Sequence, residues 1–197
     1  MSVLDVQRAG RRLILRLSSL TLAFGTMMSV SGCERATEHP MAVGPPLFTQ
    51  TNLHPDVTRR TLYSVNFQQQ GLIPRCTQVD MIAVDDEVAV FTTPDGFEWR
   101  YLFHKTLTET PEAHLERYFA PRCDQAAVEM LSEVDQRGII SGTVMEGMSK
   151  AAVVYAVGYP PPHATPTLES DVWRYWRNKF DTIAIHFENN YVVRIQN

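Results

Sequence analysis

Residues 147–160 read GMSKAAVVYAVGYP, and their spacing fixes the architecture of the C-terminal part of the chain. The Ser149 hydroxyl can accept an orphan amide of a first helical turn, which makes it a natural N-cap. Ala152, Val153, Ala156 and Val157 are spaced to bury one side of a helix over 149–157. Gly158 sits where a left-handed C-terminal residue is wanted, and Pro160 prevents continuation. Downstream, 173–177 (WRYWR) predicts a strand that Asn178-Lys179 turns. Residues 180–187 (FDTIAIHF) alternate, with Phe180, Ile183, Ile185 and Phe187 as candidate buried positions. Asn189-Asn190 is a second turn, because Asn tolerates positive φ, and 191–195 (YVVRI) closes the sheet. The pattern predicts a helix packed on a three-stranded antiparallel meander. Trp173, Arg174 and Tyr175 are its candidate binding residues, with Trp173 readable either as part of the helix–sheet seam or as a surface anchor.

Upstream, the pattern is strand-rich. Residues 61–67 (TLYSVNF) alternate, and 77–84, 87–93 and 97–104 read as further strands. Asp85-Asp86 and Pro94-Asp95-Gly96 supply the tight turns between them. Phe97, Trp99, Tyr101 and Phe103 fall on one face of the last strand, either as the core of a small sheet or as a platform for glycans. Four short strands with tight turns predict a curled antiparallel sheet of SH3-like type. Thr110-Pro111 opens a helix over 111–119, Pro121 breaks it, and Asp124 caps a second one that Gly138 ends near residue 136. Ile139 to Val144 reads as extended. The fold class is α+β, with a strand-rich unit and two helices over 61–138 and the helix-plus-meander over 139–197.

Residues 34–60 show no helical or strand period and contain Pro40, Pro45, Pro46 and Pro55. They are expected to form a linker that could extend roughly 80 Å. Leu47, Phe48 and Leu53 leave open that part of it packs on the domain as irregular coil. Before it, a basic stretch over 8–16 precedes 15 uncharged residues, 17–31 (LSSLTLAFGTMMSVS). A bilayer span takes roughly 20, so a cleavable export signal over 1–32 is the expectation. Val30-Ser31-Gly32-Cys33 resembles the bacterial lipobox, in which the cysteine sulfur takes diacylglycerol and cleavage occurs just before it. That resemblance implies lipidation of Cys33, and Glu34 after it implies sorting to the outer membrane. Residues 1–32 carry Arg8, Arg11, Arg12 and Arg16 against Asp5, so removing them takes the formal charge from −4 to −7. A domain this acidic is a poor partner for nucleic acid, which needs clustered cations.

With Cys33 assigned to lipid, Cys76 and Cys123 remain as an even pair in an oxidising compartment. A disulfide between them is expected, with two buried free thiols as the alternative. His39, His54, His104, His114, His163 and His186 are scattered with no pair at metal spacing. No HExxH, CxxC, GxSxG or Gly-rich phosphate loop occurs. Asp85, Asp86 and Glu87 read as a solvated turn, since three consecutive acids do not converge on a cation unaided. Neither a cofactor nor a catalytic group is expected.

Gly147-Met148-Ser149, Val153, Tyr155-Ala156-Val157-Gly158, Pro160, Trp173 with Tyr175, and Phe187 followed by Val192 and Ile195 resemble the BamE (SmpA/OmlA) family of small outer-membrane lipoproteins. The resemblance covers about residues 147–197. It implies a non-catalytic scaffold whose partners are envelope proteins, the outer-membrane barrel-assembly machinery among them. The family places a short helix before its Gly-Met motif, where Ile139 to Val144 here reads as extended. The unit at 61–104 has no counterpart in the family. The function expected is a lipid-anchored, protein-binding accessory at the periplasmic face of the outer membrane. A cell-wall or glycan binder using the aromatic row is the alternative.

Overall fold

The computed structural model describes residues 39–197; the expected export signal, Cys33 and the start of the expected linker lie outside them. The chain enters through α1 (Pro40–Val43), β1 (Leu47–Thr49), β2 (Thr61–Tyr63), β3 (Gln78–Val84), β4 (Val88–Thr92) and β5 (Glu98–Leu102). It continues as α2 (Pro111–Leu115), β6 (Phe119–Ala120), α3 (Ala126–Glu129), α4 (Glu133–Ser141) and α5 (Lys150–Val157). The strands β7 (Val172–Asn178), β8 (Asp181–Glu188) and β9 (Tyr191–Gln196) complete a mixed α+β fold. Six strands form one sheet in the order β2-β5-β4-β3-β1-β6, and the last three form the meander β7-β8-β9.

Alternation builds the first sheet. Val79 and Met81 of β3, Ala89 and Phe91 of β4, and Trp99 and Tyr101 of β5 are buried in one core. Asp85 Oδ1 accepts the amides of Glu87 and Val88, both at 2.8 Å, which makes the β3–β4 turn. Gly96, at φ 80°, closes the β4–β5 turn. The aromatic row on β5 is therefore mainly core: Phe97 is exposed at one end, with the Arg60 guanidinium 4.7 Å over its ring. The sheet is not wholly antiparallel, because β2 pairs with β5 in parallel. The strand expected over 61–67 stops at Tyr63, and Asn66 takes φ 52°.

The expected linker is corrected from residue 47 onward. β1 lies between β3 and β6, and Leu47 and Leu53 are buried in the core. The prolines flank the strand rather than interrupt it. Two of the inward residues are Thr49 and Thr51, so the alternation is hidden by polar side chains. Thr49 Oγ1 donates to the Pro74 carbonyl at 2.7 Å, which makes its burial tolerable.

The helices differ from expectation in their ends. The single helix expected after Asp124 is two, because Ser132 starts α4 by accepting the Asp135 amide at its Oγ, 3.3 Å away. Gly138 does not terminate that helix but lies inside it, and Gly142 at φ 63° is the C-cap. Ile139–Ser141 is accordingly helical, not extended, and the boundary drawn between residues 138 and 139 falls inside α4. Residues 39–197 belong to one compact unit.

Ser149 caps α5, accepting the Ala152 amide at 3.2 Å, and Gly158 follows at φ 75°. Ala152, Val153 and Ala156 pack without exposure against Trp173, Tyr175, Ile185, Phe187 and Val192 of the meander. Phe180, expected inside, stands in the β7–β8 turn and is 84% exposed.

The last carbonyls of a helix lack partners within it. At the end of α5 they are met from outside the helix. Asn52 Nδ2 donates to the Ala156 carbonyl at 3.2 Å and to that of Ile139 at 2.6 Å. His54 Nε2 lies 3.0 Å from the Ala156 carbonyl, and Asn66 Nδ2 donates to Val157 and Tyr159 at 2.7 and 2.8 Å. Tyr175 Oη donates to Gly158 at 2.9 Å. This polar seam joins the 52–68 segment to the helix and its meander.

Candidate functional site

Strand alternation separates the three predicted binding residues. On β7, Trp173 and Tyr175 are each 1% exposed, whereas Arg174 between them faces solvent. The Trp173 ring packs 4.7 Å from that of Phe187, and the Tyr175 hydroxyl is spent on the Gly158 carbonyl. Trp173 and Tyr175 are thus corrected from binding residues to the seam between α5 and the sheet.

Arg174 keeps its place on the outer face of the meander. Register puts it beside Ala184, which pairs with Gln196; the next row is Val172, His186 and Arg194. Arg194 Nη2 lies 3.1 and 3.3 Å from the two His186 ring nitrogens. Trp176, opposite Thr182, carries the His163 ring at 5.2 Å. Glu188 and Tyr191 form the row beyond His186. Residues 172–197 hold Arg174, Arg177, Lys179 and Arg194 against Asp181 and Glu188, a net +2 in a chain of net −4. Among the described residues neither Arg174 nor Arg194 has an acidic partner, while Arg177 pairs with Asp181 at 3.3 Å. The face therefore offers uncompensated guanidinium groups beside half-covered aromatic and aliphatic surface. Exposed arginine and tryptophan are the residue types that carry most binding energy at protein interfaces.

No family model, curated protein or solved structure matches the chain.

A second polar cluster was not apparent in the sequence. His114, 1% exposed, sits between the Tyr101 hydroxyl, 2.8 Å from Nε2, and Glu109 Oε1, 2.9 Å from Nδ1. Arg117 Nη2 closes the array on Glu109. Burial lowers the His114 pKa below the usual histidine value; the Glu109 hydrogen bond opposes this, and the Arg117 charge adds to it. Burial also pushes the Tyr101 phenol well above its ordinary value, so it is not a phenolate at neutral pH. With Tyr101 and His114 both enclosed, the array fixes ring orientation and satisfies buried polar atoms. The only sequence signal was the local group Glu109, His114 and Arg117 around a helix start; Tyr101 joins it only through the fold.

Cys76 and Cys123 are disulfide-bonded, with Cα atoms 5.3 Å apart and a sequence separation of 47. The bond fastens the segment after β6 to the start of β3. Chain entropy makes a loop of this length worth about 4 kcal/mol. Cys33 lies outside the described residues. Among those residues no cluster of three His, Cys, Asp or Glu side chains is placed to hold a metal ion. No helix among them is long and apolar enough to cross a membrane.

Proposed function

We propose that the chain is a bacterial envelope lipoprotein, anchored through Cys33 at the periplasmic face of the outer membrane. Its folded part serves as a non-catalytic binding or scaffolding accessory in outer-membrane protein assembly or envelope integrity. The observation that carries this reading is the outer face of β7-β8-β9, where Arg174 and Arg194 stand without acidic partners. In architectural terms we read a BamE-like helix on a meander, preceded by an SH3-like unit built on the β3-β4-β5 run. The presence of α4 ahead of Gly147-Met148 supports the first part, since that is where the family has its short helix. The antiparallel β3-β4-β5 pairing supports the second.

The test is affinity capture from crosslinked cell envelopes with the wild type and with Arg174→Glu. Barrel-assembly or other envelope proteins should co-purify with the wild type and be depleted in the variant. Equal recovery with both would remove the outer face from the reading. Recovery of peptidoglycan fragments alone would replace the reading with a cell-wall binder.

A further inference from the structure

A cleft of about 220 Å³ opens where β7 and β8 approach their connecting turn. Val144, Val157, Ile183, Ile185 and Ile195 give it an aliphatic lining, and Gln68, Gln69 and Arg177 stand with them. An apolar cavity of about 150 Å³ accepts benzene, so this volume has room for about seven to ten heavy atoms. Val144, Ile183 and Ile195 back onto the second core yet are only half-buried, leaving apolar surface that a ligand could cover.

The polar groups define what kind of head such a ligand would carry. Gln68 Nε2 donates to Asn66 O, Asn66 Oδ1 and Val157 O at 3.1, 2.9 and 3.0 Å. Gln69 Nε2 donates to the Arg177 carbonyl. Those bonds fix which end of each amide is nitrogen, and leave the two Oε1 atoms as acceptors without a donor among the described residues. Arg177 offers no free charge: Nη1 lies 3.3 Å from both Asp181 carboxylate oxygens, and Nη2 donates to Asn197 Oδ1 at 2.7 Å. His54 also lines the cleft, its Nε2 turned to the Ala156 carbonyl. Arg177 is the charged side chain of the described lining and Asp181 already matches it, so the cleft holds no unpaired charge for an ionic head. We infer that this cleft is a binding site for a small molecule with a compact aliphatic body and an uncharged, hydrogen-bond-donating head.

The full chain, held in lipid nanodiscs and labelled with 13C at isoleucine methyls, is titrated with cyclohexanol and with cyclohexanecarboxylate. Cyclohexanol should shift Ile183, Ile185 and Ile195 saturably, with a Kd on the order of millimolar, as befits so few atoms. The carboxylate should bind roughly tenfold more weakly, the cost of about 1.4 kcal/mol in the cleft. Ile82, exposed on β3 of the other sheet, should not move. Thr143→Trp at the exposed rim should abolish the shifts while leaving the melting temperature unchanged, and Ile195→Trp should abolish them by filling the floor. The inference is overturned if cyclohexanol leaves the three methyls in place or shifts Ile82 equally. It is also overturned if the carboxylate binds as tightly, or if both tryptophan variants still respond.

Discussion

A Cβ built on Gly138 would lie 2.3 Å from Met148 Sδ and 3.0 Å from the Thr143 carbonyl. Met148 is fully buried, and its sulfur also takes the Met145 amide at 3.1 Å, so it has little freedom to retreat. The glycine in α4 is therefore there for the close approach of the α4–α5 connection.

Gly138→Ala should destabilise the fold despite the better helix propensity of alanine. Overpacking costs about 1–3 kcal/mol and the propensity gain returns under about 1, so urea unfolding should show a lower midpoint with unchanged slope. A raised midpoint would mean that Met148 can move aside.

Asn52→Ala should be more damaging than its size implies. It removes the donor to Ile139 O and Ala156 O and the acceptor of the Arg75 amide, which is 2.7 Å from Oδ1. Ala156 O keeps His54 Nε2 and Ile139 O keeps the Gly142 amide, so the Arg75 amide is the group left unsatisfied, and a loss of about 1–3 kcal/mol is expected in the same unfolding measurement.

Stability should fall with acidity before the carboxylates titrate. Burial lowers the pKa of both His54 and His114 below the unfolded value of 6.5. Below that pH the unfolded chain takes up protons that the folded chain refuses, so stability is full above it and declines as pH falls. Denaturant midpoints measured from pH 7.5 to 5.5 should drop, and His54→Gln with His114→Gln should flatten that slope whatever it does to stability at pH 7.5.

Val153→Asp and Arg174→Glu should behave oppositely. Val153 is fully enclosed between α5 and the meander, so an unpaired carboxylate there costs about 3–5 kcal/mol, enough to unfold a marginally stable domain. Arg174 is exposed, and its reversal should move the thermal midpoint by no more than a degree or two, since surface changes stay within about 0.5 kcal/mol. A Val153→Asp protein that melts like wild type would contradict the packing of α5 on the sheet.

Legibility in the sequence followed side-chain chemistry. The helix α5 was readable because its cap, its apolar stripe and its terminal glycine are all local signals. The meander strands were readable because their inward positions are aromatic or branched. β1 was not, because Thr49 and Thr51 occupy inward positions and read as polar loop residues. The end of α4 was misplaced because Gly138 marks a helix stop in isolation, whereas its role depends on Met148 arriving from another turn. Trp173, Arg174 and Tyr175 are grouped by sequence as candidate binding residues, but strand alternation buries the first and third in the seam and leaves Arg174 on the outer face. Tyr101 and His114, or Asn52 and Ala156, meet only through tertiary structure, and no spacing announces them.

The seam at the end of α5 also dictates an order of events. Asn52 and Ala156 are 104 residues apart, and β1 needs both β3 and β6 beside it. A chain crossing a membrane from its N-terminus would present Asn52, His54 and Asn66 long before the carbonyls they serve. Until α5 arrives these side chains must stay hydrated and the 47–68 segment unsettled, so the sheet closes late and folding is governed by contacts distant in sequence. Residues 139–197 expressed alone would face the reverse shortage, with helix-end carbonyls and no amides to meet them. The helix and meander are thus one end of a long-range clasp rather than a portable module.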